Sequence, residues 1–80
     1  MAPAVEAYNR AVAAMRQNNL EAAVAGFGQA AALYPGFARA HRERGLVQAM
    51  RGQYAEALKD LSKAIELDPE DPAARFNRAY

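Results

Sequence analysis

The chain repeats itself at a spacing of 34 residues, and this period restricts its possible folds more than any other feature. Several positions recur in phase, namely Ala23 and Ala57, Ala30 and Ala64, Leu33 and Leu67, Pro35 and Pro69. A second step of the same length carries arginine from position 10 through 44 to 78. Repetition at a period of this length indicates stacked copies of one supersecondary unit, each of which buries its apolar face against its neighbours.

Within each copy, apolar side chains recur three or four residues apart, which is the spacing of an amphipathic α-helix. Asn18 and Gly52 suit the left-handed backbone of a helix end. Pro35 and Pro69 end a helix, because the proline ring cannot continue the hydrogen-bond ladder. The pattern predicts five helices, over about 3–16, 20–33, 37–50, 54–67 and 72–80.

The recurring residues match those of a known repeat. In the second copy they are Gly45, Gly52, Tyr54, Ala57, Leu61, Ala64 and Pro69, and in the first copy Ala11, Asn18, Leu20, Ala23, Phe27, Ala30 and Pro35. With these residues the chain resembles the tetratricopeptide repeat family. The resemblance implies an all-α fold, an α-solenoid of antiparallel helix pairs that coils into a superhelix. It places repeat one at about 4–37, repeat two at about 38–71 and a truncated third repeat or capping helix at 72–80, within one domain spanning 1–80.

Residue size suggests how the helices pack. We expect Ala11 and Gly45 to lie where two helix backbones approach closely. The large side chains expected to fill the remaining interior are Phe27, Leu33, Leu61 and Leu67. Gly26 and Gly28 interrupt the second helix, each at a cost of about 1 kcal/mol relative to alanine.

A charged pair is expected between the helices of the second repeat. An arginine beside the small first-helix residue is common in the family that the chain resembles, and Asp60 lies on the adjoining helix. We therefore expect Arg44 or Arg78 to pair with Asp60, since arginine binds carboxylates through two parallel hydrogen bonds. Arg10 has Gly26 at the equivalent position and lacks such a partner.

The resemblance implies a function in protein binding, because the first helices of successive repeats line a concave groove in that family. The residues that helical spacing places on this side are Tyr8, Val12, Met15, Arg39, Arg42, Leu46, Met50 and Phe76. This mixture suits a peptide or protein segment with apolar anchors and an acidic group. The competing interpretation is that Tyr8, Met50 and Phe76 simply pack within the array.

No residue pattern indicates catalysis, so we predict that the chain is not an enzyme and has no cofactor or metal site. His41 is the only histidine and is interpreted as a helix residue at a repeat junction; Ser62, the only serine, has no base at helical spacing. The acidic residues Asp68, Glu70 and Asp71 lie in a loop that lacks the length and glycine of a calcium loop. Ten basic and nine acidic residues leave a net charge of +1, which disfavours nucleic acid as a partner.

The two ends of the chain give further expectations. No apolar run approaches the roughly 20 residues that cross a bilayer, and the first residues lack the features of a secretory signal. We therefore expect a soluble protein, cytoplasmic in location. The chain stops within the first helix of a third unit, so it is either an excerpt of a longer array or self-associates through this open end. A four-helix bundle is the alternative architecture, although it would not require the period of 34.

Overall fold

The computed structural model describes residues 2–69, and these residues form four α-helices joined by short turns. The helices are α1 (Ala2–Arg16), α2 (Leu20–Leu33), α3 (Ala38–Met50) and α4 (Tyr54–Leu67). Each helix begins and ends within one residue of the prediction. Residues 2–69 thus contain four helices where five were predicted for the chain, and the fifth, over 72–80, lies outside the described residues.

The turns inside the two helical hairpins share one geometry. Asn18 and Gly52 have φ angles of 61° and 80°, so both adopt the predicted left-handed conformation. In each case the next residue donates its backbone N–H to the carbonyl five positions earlier, at 2.8 Å. This bond satisfies a carbonyl that the end of the helix would otherwise leave unpaired.

The turn between the hairpins explains why α3 begins one residue later than predicted. Phe37 is the N-cap of α3, with φ −80° and ψ 82°, and its side chain makes no capping hydrogen bond. The Phe37 ring instead stacks on Tyr8 of α1, with the ring centroids 5.2 Å apart. Phe37 therefore links the start of the second hairpin to the first.

Each helix packs mainly against its neighbours in sequence: α1 on α2, α2 on α3, and α3 on α4. This is the arrangement of stacked hairpins, and it differs from a bundle closed around one centre, because Tyr8 and Leu46 are half-buried rather than sealed inside. The observed architecture is therefore an all-α helical repeat.

The core consists mostly of alanine. One cluster of buried residues contains Ala7, Ala30, Ala31 and Ala40, and a second contains Ala11, Ala23, Phe27 and Val47. Phe27 and Val47 are the largest fully buried side chains in the described part of the chain. The expectation that Leu33 and Leu67 fill the interior is wrong. Leu33 is 51% exposed and Leu67 36% exposed, and both stand at the last position of a helix.

Small residues allow the helices to approach closely within each hairpin. A Cβ built on Gly26 of α2 would lie 2.7 Å from the Ala11 Cβ and 3.1 Å from its Cα. In the second hairpin, a Cβ on Gly45 of α3 would lie 2.9 Å from Leu61 Cγ and 3.1 Å from the Ala57 carbonyl oxygen. The distances of 2.7 and 2.9 Å are too short for a side chain at either glycine. The helix-breaking tendency of Gly26 is therefore offset by tight packing of α1 on α2.

Candidate protein-binding surface

A chain of aromatic rings connects α1 to the rest of the fold. Tyr8 meets Phe27 edge to face, with ring centroids 5.3 Å apart, and stacks on Phe37 from the other side. Tyr34 extends the series, with its ring centroid 5.8 Å from that of Phe37. Edge-to-face and offset pairs of this kind contribute about 0.5–1.5 kcal/mol beyond the area that they bury. Tyr8 is therefore held rigidly, whatever else it contacts.

Charged residues of α3 surround the Tyr8 hydroxyl group. Burial raises the pKa of Tyr8 above its ordinary value of 10.0, and the negative charge of Glu43 raises it further, while Arg39 and Arg42 lower it. Glu43 also accepts from Arg42, with Nε and Nη2 at 3.2 and 3.0 Å from Oε1. α1 and α3 thus present an aromatic hydroxyl, a carboxylate and two guanidinium groups close together.

We call the described members of the predicted groove the α1–α3 surface: Tyr8, Val12, Met15, Arg39, Arg42, Leu46 and Met50. Val12 and Met15 pack, partly buried, beside the cluster that contains Phe27. Arg39 is exposed and Met50 is 62% exposed, whereas Arg42 is mostly covered. Phe76, the eighth predicted residue, lies outside the described residues. No contact with a partner tests this assignment, which stays a prediction.

A mostly buried ion pair joins α3 to α4. Arg44 donates from Nε to Asp60 Oδ2 at 2.7 Å and from Nη2 to Asp60 Oδ1 at 2.5 Å. The predicted pairing of Asp60 is therefore confirmed for Arg44, while the alternative partner Arg78 lies outside the described residues. The Asp60 side chain is 9% exposed, so the charge of Arg44 replaces the water that this carboxylate has lost.

Two further residues of α3 contact the same carboxylate. His41 places Nδ1 3.4 Å from Asp60 Oδ1 and Nε2 3.4 Å from the carbonyl oxygen of Pro35. The Gln48 side-chain amide is oriented with its nitrogen toward α4, where it donates to Asp60 Oδ2 at 2.7 Å and to the Glu56 carbonyl oxygen at 3.1 Å. In the opposite orientation the amide oxygen of Gln48 would face these two acceptor oxygens. His41 therefore lies at the helix junction as predicted.

Sequence reasoning missed Gln48, although a signal was available. His41, Arg44 and Gln48 are spaced by three and four residues, which places three polar side chains on one side of α3. Within residues 2–69, no buried side-chain nitrogen or oxygen lacks a hydrogen-bond partner. The polar junction is thus satisfied internally and has a structural role.

Other chemistry is sparse in the part of the chain that the structure describes. There, no group of three or more His, Cys, Asp or Glu side chains could hold a metal ion. The helices in the same residues are too short or too polar to cross a membrane. The half-buried Ser62 belongs to the outward side of α4, distant in sequence from His41.

Comparison with known proteins gives the family. A family model for the tetratricopeptide repeat matches residues 10–79, which is most of the chain. The chain belongs to the tetratricopeptide repeat family. Tetratricopeptide repeat domains generally mediate protein–protein interactions and are typically non-catalytic.

A second comparison finds similarity to a much longer protein. Over 37 residues this tetratricopeptide repeat chain is 54% identical to a UPF0162 protein of Haemophilus influenzae. The matched stretch is 46% of this chain and 14% of that protein, so the chain spans a small fraction of the relative's length.

Proposed function

We propose that this tetratricopeptide repeat chain is a non-catalytic adaptor that holds a peptide or protein segment against the α1–α3 surface. The observation that carries the proposal is that α1 and α3 combine exposed apolar and basic groups with an aromatic residue held in place by two other rings. Met50 and Arg39 are exposed on α3, while Tyr8 is fixed between Phe27 and Phe37. A preorganised surface of this kind loses little conformational freedom when it binds.

The charge of the surface indicates the chemistry of the segment. Arg39 is exposed and its positive charge acts on Tyr8, so an acidic group on the ligand would find a complementary charge on this surface. Arginine can bind such a carboxylate through two parallel hydrogen bonds. On the same α1–α3 surface, Met50 and the half-buried Leu46 offer apolar contacts to the ligand, and the flexible Met50 side chain can adapt its shape.

Peptide display against the purified chain tests this proposal directly. Peptides selected from a random library are expected to be enriched in Asp or Glu next to an apolar residue. Their affinity should fall about ten-fold or more in Arg39→Glu, which corresponds to about 1.4 kcal/mol or more. Lys59→Glu is the matched control, because it makes the same change of charge at an exposed position of α4. Tyr8 is unsuitable as a test position, since its ring supports the core.

Two outcomes would contradict the adaptor proposal. One is a set of selected peptides with no preference for acidic residues. The other is an equal loss of affinity in Arg39→Glu and Lys59→Glu, which would indicate general electrostatic attraction.

Self-association is the second candidate function. It rests on α4, where Tyr54 is 71% exposed and Leu58 54% exposed. Exposed apolar patches often mark interaction surfaces. If α4 binds a second copy of the chain, sedimentation over a range of concentrations is expected to show dimers, and Leu58→Glu should abolish them. A monomer at every concentration would exclude self-association.

A cytoplasmic location stays a prediction.

A further inference from the structure

The chain contains sulfur only in methionine side chains, because it has three methionines and no cysteine. Two of them, Met15 and Met50, belong to the α1–α3 surface. Met15 is half-buried and packs beside the cluster that contains Phe27. Met50 is 62% exposed, which makes it the most exposed apolar side chain of this surface. A water-soluble reagent that attacks sulfur therefore reaches Met50 more readily than Met15.

The fold does not depend on the Met50 side chain to hold the end of α3. Met50 is the last residue of that helix. Beyond it, the Arg51 backbone N–H donates to the Val47 carbonyl at 3.1 Å, and the N–H of Gln53 donates to the Gln48 carbonyl at 2.8 Å. Because these backbone bonds close the helix end, a chemical change in the Met50 thioether leaves the end of α3 intact.

We propose that Met50 is a site of reversible oxidation by peroxides, and that its oxidation weakens binding at the α1–α3 surface. With hydrogen peroxide, the thioether sulfur attacks one oxygen, the O–O bond breaks and an S–O bond forms. Sulfur loses two electrons and becomes a sulfoxide, while the other oxygen takes both hydrogens and leaves as water. Two thiols of a separate reductase reverse the step, since this chain has none: they form a disulfide, and the sulfoxide oxygen leaves as water.

Oxidation changes the polarity of the surface at Met50, because a sulfoxide is polar and a thioether is apolar. An apolar side chain of a bound segment that packs on Met50 would then displace water from a strong hydrogen-bond acceptor, so affinity falls. This effect on affinity rests on the proposed function, which takes the α1–α3 surface as the binding site. The same change at Met15 would place a polar oxygen beside the apolar cluster and destabilise the fold.

Hydrogen peroxide applied to the full chain tests the site, because trypsin separates the methionines into different peptides. Met15 lies in the tryptic peptide 11–16 and Met50 in 45–51, so mass spectrometry follows each sulfoxide separately. In native buffer Met50 is expected to react about three-fold or more faster than Met15, since oxidation follows exposure, and urea should equalise the two rates. Equal rates in native buffer, or faster oxidation of Met15, would overturn the proposal.

The effect on binding is measured with a peptide selected by display. Oxidation of Met50 is expected to weaken its binding about three-fold to ten-fold, and a methionine sulfoxide reductase with dithiothreitol should restore the affinity. Met50→Leu is the matched control, because leucine is apolar, of similar volume and inert to peroxide. This variant keeps the other two methionines, so a loss caused by them appears in it as well. Unchanged affinity after full oxidation of Met50, or an equal loss in Met50→Leu, would overturn the proposal.

Oxidation and binding are measured independently, so failure of this inference differs from failure of the adaptor proposal. The adaptor proposal fails when Arg39→Glu and Lys59→Glu lose affinity equally, whatever the oxidation state of Met50. The oxidation rates require no ligand and test the site even when display selects no peptide. Far-UV circular dichroism should show the same helix content before and after oxidation of Met50, and a loss of helix on oxidation of Met50 alone would contradict the inference.

Discussion

The guanidinium group of Arg44 lies against Gly28, with Nη1 3.0 Å from the position that a Cβ on Gly28 would occupy. The other nitrogens of the same group donate to Asp60. Because Gly28 lies on α2 and Asp60 on α4, Arg44 of α3 connects three consecutive helices. Gly28 of the first repeat thus makes room for the charged pair between the two helices of the second repeat.

Alanine substitutions at Gly26 and Gly28, the two glycines of α2, should have different effects on the free energy of unfolding. Both gain about 1 kcal/mol in helix propensity. At Gly26 the new Cβ meets the backbone of Ala11, which cannot move without separating α1 from α2, at an overpacking cost of about 1–3 kcal/mol. Gly26→Ala is therefore expected to lower the free energy of unfolding. At Gly28 the new Cβ meets a side-chain atom, Arg44 Nη1 at 3.0 Å, which need shift by only a few tenths of an ångström, so Gly28→Ala should leave the free energy of unfolding unchanged or raise it.

Urea unfolding followed by far-UV circular dichroism measures both changes. Gly28→Ala serves as the control for propensity, because it lies in the same helix two residues away. Equal effects of the two substitutions would contradict the close approach of Gly26 to Ala11.

Removing the charge of Asp60 should destabilise the fold strongly. Asp60→Asn leaves Arg44 without a counter-charge in a mostly buried position, and loss of one partner from a buried pair costs about 3–5 kcal/mol. We expect a loss at the lower end of this range, since the amide oxygen of asparagine still accepts one hydrogen bond. Chemical denaturation gives the free energy of unfolding.

The matched control for Asp60 is Glu66→Gln. Glu66 lies 3.9 Å from Lys63 in an exposed pair, and such pairs contribute about 0–1 kcal/mol. A loss in Asp60→Asn no larger than that in Glu66→Gln would show that the junction contributes little to stability.

Gly52 provides a test of backbone conformation without interference from packing. Its φ is 80°, and a Cβ at this position would meet no atom within 4 Å. Gly52→Ala is therefore expected to cost about 1–2 kcal/mol, the penalty of left-handed backbone for an ordinary residue. Gly52→Asn should cost less, because asparagine tolerates this conformation and occupies the equivalent position 18. Thermal unfolding should rank the stabilities as glycine, asparagine, alanine, and any other order would argue against a left-handed residue here.

Tyr8 should make stability fall at alkaline pH. In the unfolded chain it releases its proton near the ordinary value of 10.0, whereas the folded chain holds the proton to higher pH because the pKa is raised. The unfolded state therefore binds fewer protons in this window. The free energy of unfolding decreases as pH rises through it, by at most about 1.4 kcal/mol per pH unit.

The substitution Tyr8→Phe removes the ionisable group and should flatten this part of the pH profile. Tyr54→Phe is the control at an exposed tyrosine and should leave the profile unchanged. An identical slope in the wild type and Tyr8→Phe would assign the alkaline loss to other groups.

Some features of the α3–α4 junction were predictable and others were not. The pairing of Asp60 with Arg44 follows from the family pattern and from their positions on adjoining helices. The hydrogen bond from Gln48 to Asp60 depends on how α3 is rotated toward α4. Helical spacing suggests this rotation but does not determine it. Gly28 could be judged only as a helix-weakening residue, because its neighbour Arg44 comes from another helix.

The sequence by itself determined the helices and their turns, because helical spacing, proline and left-handed residues act locally and recur every 34 positions. It could not determine which apolar residues are buried. Val47 is fully covered while Leu33, a larger side chain, is half exposed, and only the stacking of α3 on α2 decides between them. Burial depends on distances between segments far apart in the chain, so the alanine core and the exposure of Tyr54 and Leu58 on α4 emerge only in the folded molecule.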